Sequence, residues 1–362
     1  MMQKKILWIA LGLVLLAGAA LGILKVYGKK QMEKIPSLSF SDCLQYTLGG
    51  EKDAVITVGT IRNGQMAYTV YGADGVELEH RAHVYEIGSL TKTLTASMIC
   101  QAVSEGRLSL DATIDKYLDL PEKAHYPTLR EPLTHTSGYP EHYFEWEMVG
   151  NFLSGRNSFY RIGRDKILRR LGRATPKQGA HSFCYSNFGY AALGLILEQT
   201  YGADYTTLMN EHLASLGMAN SRIADGSGDL GRYWNWQAGD AYLAAGGVYS
   251  DIEDMLLYAE MVLEGTNGFD RSTETLATIL ASSAQYEAMG IHMDAAGYGW
   301  MIDEANGIIW HNGGTGHYNA YLGVNRNAGT AVVILSNLAP SRKIPATVMG
   351  IKLLLEISEA ES

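Results

Sequence analysis

The spacing of hydrophobic positions changes character along the chain, and each change predicts a different kind of element. Residues 6–24 form an apolar run without charge, about the length a helix needs to cross a bilayer at 1.5 Å per residue. From residue 54 the pattern becomes β-like. Ala54-Val-Ile-Thr-Val-Gly59 and Gln65-Met-Ala-Tyr-Thr-Val-Tyr71 are rich in β-branched and aromatic residues, and Asn63-Gly64 between them is a hairpin signal. A helical period starts near Ser89, with Leu90, Leu94, Met98, Ile99 and Val103 on one spacing and Gly106 as a natural stop. Leu108-Ser-Leu-Asp111, Ile114-Asp-Lys-Tyr-Leu118 and Leu133-Thr-His-Thr-Ser-Gly138 follow, in a middle stretch that reads as helical. Residues 187–200, with Tyr190, Leu193, Ile196 and Leu197, and residues 251–263 are again apolar at helical spacing. Short β runs then return at 307–311, 318–324 and 331–335, before a C-terminal helix from about 344 to 357.

Strands, then helices, then strands predict an α+β fold: an antiparallel sheet flanked by helices, with a mostly helical inserted domain. The sheet domain is expected from residues 51–92 and 250–362, the helical insert from 93–249, and a linker at 31–50. No internal repeat interrupts this order.

Composition fits a globular body with one exceptional end. The chain has 362 residues, 47% hydrophobic and 19% charged, enough for a substantial core. Residues 1–30 hold five lysines and no acidic residue, so they read as a membrane anchor. A cleaved signal peptide is the competing reading, with Lys4 and Lys5 as its charged start and Ala17-Gly-Ala19 as small residues for cleavage. The apolar run is longer than the usual 7–15 residues of such signals, which favours the anchor. Lysines flank both ends of the run and leave its orientation open.

Five of the 29 basic residues and none of the 38 acidic ones fall in that segment, so the remainder carries 24 against 38, a net of −14. That balance argues against nucleic acid as a partner, because phosphate binding needs clustered cations. The densest basic run, residues 161–173, alternates with Ile and Leu as a solvated helix face does. Three cysteines, Cys43, Cys100 and Cys184, cannot all pair within the chain, and none has metal-ligand spacing.

The candidate chemistry begins at Ser89. Lys92 lies three residues on, and residues three apart on a helix share a face, so an amine at i+3 reaches back over a hydroxyl at i. A free lysine with a pKa near 10.4 is a poor base at neutral pH, so burial or another cation must lower it by roughly three units. By itself Ser-x-x-Lys is weak, since a chain this long contains it about once by chance. Tyr185-Ser-Asn187 opens a predicted helix and supplies a phenol for proton relay and a carboxamide for a substrate amide. Tyr233-Trp-Asn235 has the same spacing, amid Trp234 and Trp236, which read either as packing or as pocket walls. His311-Asn-Gly-Gly-Thr-Gly316 ends an apolar strand, where glycines let a substrate backbone approach and a backbone N–H can join that of Ser89 as an oxyanion hole.

Taken together and in this order, Ser89-x-x-Lys92, Tyr185-x-Asn187 and His311-x-Gly313 resemble the three signature elements of the penicillin-recognising serine hydrolases. The branch is that of class C β-lactamases, D-Ala-D-Ala peptidases and related esterases. Leu133-Thr-His-Thr-Ser-Gly138, Gly106-Arg-Leu-Ser-Leu-Asp111, Ala245-Gly-Gly247 and Tyr298-Gly-Trp300 are similar to segments of the same branch, and the likeness runs over roughly residues 50–340. It implies the β-lactamase/D-Ala-D-Ala-peptidase fold and a serine hydrolase that works through an acyl-enzyme, with neither metal nor cofactor. Ser89 would be the nucleophile, Lys92 its base and Tyr185 the proton relay. Asn187, His311, Gly313 and Gly314 would bind substrate, and the N–H groups of Ser89 and Gly314 would form the oxyanion hole.

The implied substrate is a small molecule or a cell-envelope peptide or ester, D-alanyl in type, with the body outside the cytoplasm and the membrane engaged through residues 6–24. The branch usually carries lysine where this chain has His311. Histidine, with an ordinary pKa near 6.5, is mostly neutral at pH 7 and gains charge toward pH 6. That departure sets β-lactamase activity second to ester or amide cleavage. A third expectation, of another class, is a penicillin-binding-like sensor that binds without turnover.

Overall fold

The computed structural model describes residues 33–179 and 181–361. The hairpin predicted at Asn63-Gly64 joins β1 (Ile56–Arg62) to β2 (Gln65–Tyr71), and both turn residues take positive φ, 52° and 71°. β1 also pairs antiparallel with β11 (Thr330–Ser336), the last of the described strands, so strands far apart in sequence lie side by side in the sheet. Beyond β11 lie β10 (Asn319–Asn325), β9 (Ile308–Gly314), β8 (Met301–Asp303), β7 (Ala295–Ala296) and β6 (Ala277–Thr278), giving the order β2-β1-β11-β10-β9-β8-β7-β6. Every residue of β10 and β11 is buried. Helices cover both faces there, which explains why these strands read as continuous apolar runs and not as alternation.

Five helices carry the packing. α1 (Phe40–Leu48) and α5 (Ala346–Glu361) share one core with Ile56, Val58, Tyr321, Val332 and Ile334 on one face of the sheet. α2 (Thr91–Ser104), α3 (Asn187–Tyr201) and α4 (Ile252–Glu264) share the larger core with Leu322, Val324, Ala331, Val333 and Leu335 on the other face. This α+β arrangement is the expected class of fold. A second, three-stranded sheet, β3 (Tyr85–Glu86), β5 (Val248–Ser250) and β4 (Arg222–Ile223), runs in the order β3-β5-β4.

Two expectations are corrected. Within the linker expected at 31–50, residues 40–48 are helical. Ser39 accepts from the Asp42 N–H while Asp42 accepts from the Ser39 N–H, a capping box that starts α1, and Cys43, Leu44 and Leu48 bury its inner face. In the stretch 108–118, read as helical, only the turn Ile114–Lys116 is so. Leu129 and Arg130 donate backbone N–H to the Ala112 and Leu110 carbonyls, which holds that chain open as a strap. The short strands β3 to β8 have two or three residues each, too few to show a period. Among the described residues no helix is long and apolar enough to cross a membrane, and the apolar run at 6–24 lies outside them.

Candidate active site

Ser89 sits in the turn Gly88–Leu90 that leads from β3 into α2. The turn is pressed against the end of β9. Gly88 has φ 51°, and a Cβ on it would lie 2.6 Å from the Gly314 nitrogen. A Cβ on Gly313 would overlap the Ile87 carbonyl oxygen and lie 3.0 Å from the Ser89 nitrogen. Side-chain-free backbone on both segments is therefore what lets the strand edge approach the nucleophile.

Lys92, the second residue of α2, is fully buried. Its Nζ lies 2.9 Å from Ser89 Oγ, 2.7 Å from Asn187 Oδ1 and 2.7 Å from the Ala245 carbonyl oxygen. Burial holds its pKa well below the ordinary lysine value, and the charge of Glu141 offsets this only in part. Asn187 and Ala245 accept from two of its N–H groups; Ser89 Oγ is the third partner, and once the amine is neutral its lone pair faces that hydroxyl.

Asn187, at the start of α3, thus spends its oxygen on Lys92, and its Nδ2 donates to Glu141 Oε1 at 3.3 Å. Burial lifts the pKa of Tyr185 well above the ordinary tyrosine value, with the Ser89 side chain acting in the opposite sense, so the phenol keeps its proton at neutral pH. Its ring lies 4.9 Å from Lys92 Nζ.

The segment bearing Tyr185 is held by His135, a buried residue with φ 59°. The His135 carbonyl accepts from the Cys184 N–H, its Nδ1 accepts from the Ser186 N–H at 3.0 Å, and its ring lies 4.4 Å from that of Tyr185. Tyr233, the rival at the same sequence spacing, is committed elsewhere. Its hydroxyl donates to the Val84 carbonyl, accepts from the Leu230 N–H, and its ring stacks on Tyr318.

His311 lies in β9 on the side of the site, its ring 6.4 Å from that of Tyr185, but it is buried and does not line the cleft. Nδ1 donates to the Asn312 carbonyl at 2.6 Å and Nε2 has no partner. Burial holds its pKa down to about 3, against the hydrogen bond to the Asn312 carbonyl, which raises it. The expected gain of charge toward pH 6 therefore does not occur.

The cleft in front of Ser89 has a volume of about 180 Å³. Tyr185, Asn187 and Gly314 line it with Ser89, so those expected residues converge on one space. Trp234 and Trp236 join Phe159 and Tyr242 as its aromatic walls, and Glu141 faces it as a carboxylate. Sequence reasoning missed Glu141, and it named the stretches that hold His135 and Ala245 without giving either residue a role. Pro140-Glu141, just after the Leu133-Thr-His-Thr-Ser-Gly138 stretch, was the available signal for the carboxylate. A second missed carboxylate, Glu86, lies buried under the turn. It accepts from Thr315 Oγ1 and from the Trp234 N–H, and burial pushes its pKa up to about 7 despite those bonds.

Comparisons with known proteins give the family and the fold. The family model described as Beta-lactamase matches residues 50–351. Protein flp of Staphylococcus aureus (strain MRSA252) is 23% identical over 309 residues, covering 77% of this chain and 58% of that protein, so the chain spans little more than half its length. Penicillin-binding protein 4 of Amycolatopsis lactamdurans is 25% identical over 287 residues, covering 70% of this chain and 72% of its own. The structure of a β-lactamase/D-alanine carboxypeptidase from Yersinia pestis, complexed with citrate, superposes with a TM-score of 0.67 at 19% identity. It covers 91% of this chain and 99% of that one, and it shows a shared fold.

Proposed function

This chain belongs to the beta-lactamase family of serine hydrolases, and from that premise we propose that it cleaves an ester or amide through an acyl-enzyme on Ser89. The observation that carries this reading is the amine at Lys92, with two partners for its N–H groups and Ser89 Oγ 2.9 Å from the third position. Ser89 Oγ attacks the substrate carbonyl carbon while its proton passes to Lys92 Nζ. The carbonyl oxygen takes the displaced electron pair and is received by the N–H groups of Ser89 and Gly314; one such donor is typically worth about 2.7–4 kcal/mol. The proton returns through the Tyr185 phenol to the leaving group, which departs as the acyl-enzyme forms. Water then attacks the ester, with Lys92 again taking the proton and Ser89 recovering it.

The substrate is a simple ester or small amide, D-alanyl in type. A carboxylate on the substrate finds no counter-ion here: among the described residues lining the cleft there is no arginine or lysine, and His311 is neutral. At about 4 Å a unit charge pair is worth roughly 1 kcal/mol in water and 4 kcal/mol at an effective dielectric of 20, so its absence disfavours β-lactams. Residues 6–24 hold the body to a membrane with the cleft on the extracytoplasmic side.

The test is turnover of a p-nitrophenyl ester, a penicillin and a D-Ala-D-Ala peptide by the full-length protein in detergent, with the ester expected to be fastest. Penicillin hydrolysis at pH 8 matching the best ester would make β-lactamase the primary activity. Labelling of Ser89 with no turnover of any of the three would favour a sensor.

A further inference from the structure

The cleft carries one charge that does not touch the reacting atoms of the acyl transfer. Glu141 lines it, and Asn187 Nδ2 donates to its Oε1 at 3.3 Å. Among the described residues it forms no ion pair with any lysine, arginine or histidine. The chain of contacts from it to the nucleophile is short: Glu141 to Asn187, Asn187 to Lys92 at 2.7 Å, Lys92 to Ser89 at 2.9 Å. The carboxylate is thus at the side of the cleft where Asn187 would meet the acyl half of a substrate.

Asn187 has only one N–H left for the part expected of it. Its oxygen is taken by Lys92, and its other N–H donates to Glu141. A secondary amide placed there would bring its carbonyl oxygen against a carboxylate. An ammonium placed there meets a counter-ion. It also meets π faces, because Phe159 and Tyr242, stacked with centroids 4.2 Å apart, line the same space together with Trp234 and Trp236. The net of −14 over residues 31–362 acts in the same sense.

We propose that Glu141 and these aromatic walls form a subsite for a free ammonium group on the acyl half, so that the preferred substrates are esters or amides of amino acids with an unblocked α-amine. The inference rests on the acyl-transfer reading and narrows it. It makes Glu141 a specificity-determining residue, one that discriminates between free and N-acylated amino acids and takes no part in bond breaking.

The test uses a matched pair of serine-directed ligands, 1-aminoethylboronic acid and its N-acetyl derivative, read as protection of the full-length protein against a fluorescent phosphonate probe. It needs no turnover. The free amine should protect about tenfold better, as expected for one charge pair in a partly hydrated cleft. Glu141→Gln, which keeps the acceptor for Asn187, should collapse that ratio to within about threefold, and Glu141→Asp should retain most of it. The preference should also fade as pH rises above the pKa of the ligand's ammonium. Equal or better protection by the N-acetyl compound, or a ratio unmoved by Glu141→Gln, overturns the subsite and leaves the acyl-enzyme reading standing. Failure of the probe to label Ser89 at all overturns both.

Discussion

Burial sets the roles of the individual side chains at this site. Lys92 and Tyr185 both touch Ser89, but desolvation drives the lysine toward its neutral form and the tyrosine toward its protonated one, so the first is a base at neutral pH and the second a proton donor. Ser89→Ala should abolish phosphonate labelling with the fold intact, and Lys92→Met should slow acylation by about 10²–10⁴, read as the labelling rate. A loss of only a few-fold would mean that another group is the base. The two tyrosines should separate cleanly. Tyr185→Phe should cut turnover with little change in Tm, whereas Tyr233→Phe strands the Val84 carbonyl and the Leu230 N–H and should cost about 1–2 kcal/mol of stability in denaturant unfolding. His311, with a pKa near 3, stays neutral from pH 5 to 8. His311→Gln should therefore remove no inflection from the pH profile of acylation in that range.

At the scale of elements, the site depends on how closely β9 approaches the turn before α2. The strand pairs with β10 along its whole length, from Ile308 opposite Asn325 to Gly314 opposite Asn319, so it cannot yield locally without breaking the centre of the sheet. Gly313→Ala places a methyl group on the Ile87 carbonyl. We expect it to lower labelling of Ser89 by at least about 10²-fold, because the strand edge and the turn must separate and take the Gly314 N–H with them. Tm should fall as well, since overpacking costs typically about 1–3 kcal/mol. A wild-type labelling rate and Tm in the Gly313→Ala protein would show that the two segments have slack. β5 works in a similar way from the opposite side: it follows the Ala244-Ala-Gly-Gly247 stretch and so places the Ala245 carbonyl on Lys92.

Across the whole molecule, buried titratable groups predict acid sensitivity. His311, with a pKa of about 3, and His212, at about 4, are held neutral by burial, and His135 is lowered in the same sense. Below about pH 6.5 the unfolded chain binds protons at these positions and the folded one does not, so stability falls as pH falls. At about pH 5 His311 and His212 each cost up to about 2 kcal/mol. Glu86 has the opposite sign: with a folded pKa of about 7 it binds its proton more tightly when folded, and between pH 7 and the ordinary glutamate value it stabilises as pH falls. Buried Asp240, Asp251 and Asp254 are raised in the same sense as Glu86, and the three histidines together should still leave Tm lower at pH 5 than at pH 7, with His212→Gln flattening that slope in a thermal scan. A Tm that rises toward pH 5 would show the histidines to be hydrated.

How far these features could be read in advance follows from how local each one is. Hydrophobic period and turn residues were sufficient for the β1–β2 hairpin, for helices α2, α3, α4 and α5, and for the three strands β9, β10 and β11, because a period of two or 3.6 states which residues share a face. They were also sufficient to place Ser89 and Lys92 together, since three residues on a helix is a local relation. They were silent on the two- and three-residue strands, and they favoured Tyr185 over Tyr233 only through the helix that follows it. Nor did they reveal Glu141, the shell around Lys92 or the burial that keeps His311 neutral. Those depend on partners far along the chain: the oxygens that complete the lysine's shell come from residues 95 and 153 positions away. Local spacing puts a group on a face. Only packing between distant segments decides how dry that face is and what stands opposite it, and at this site those two quantities set the chemistry.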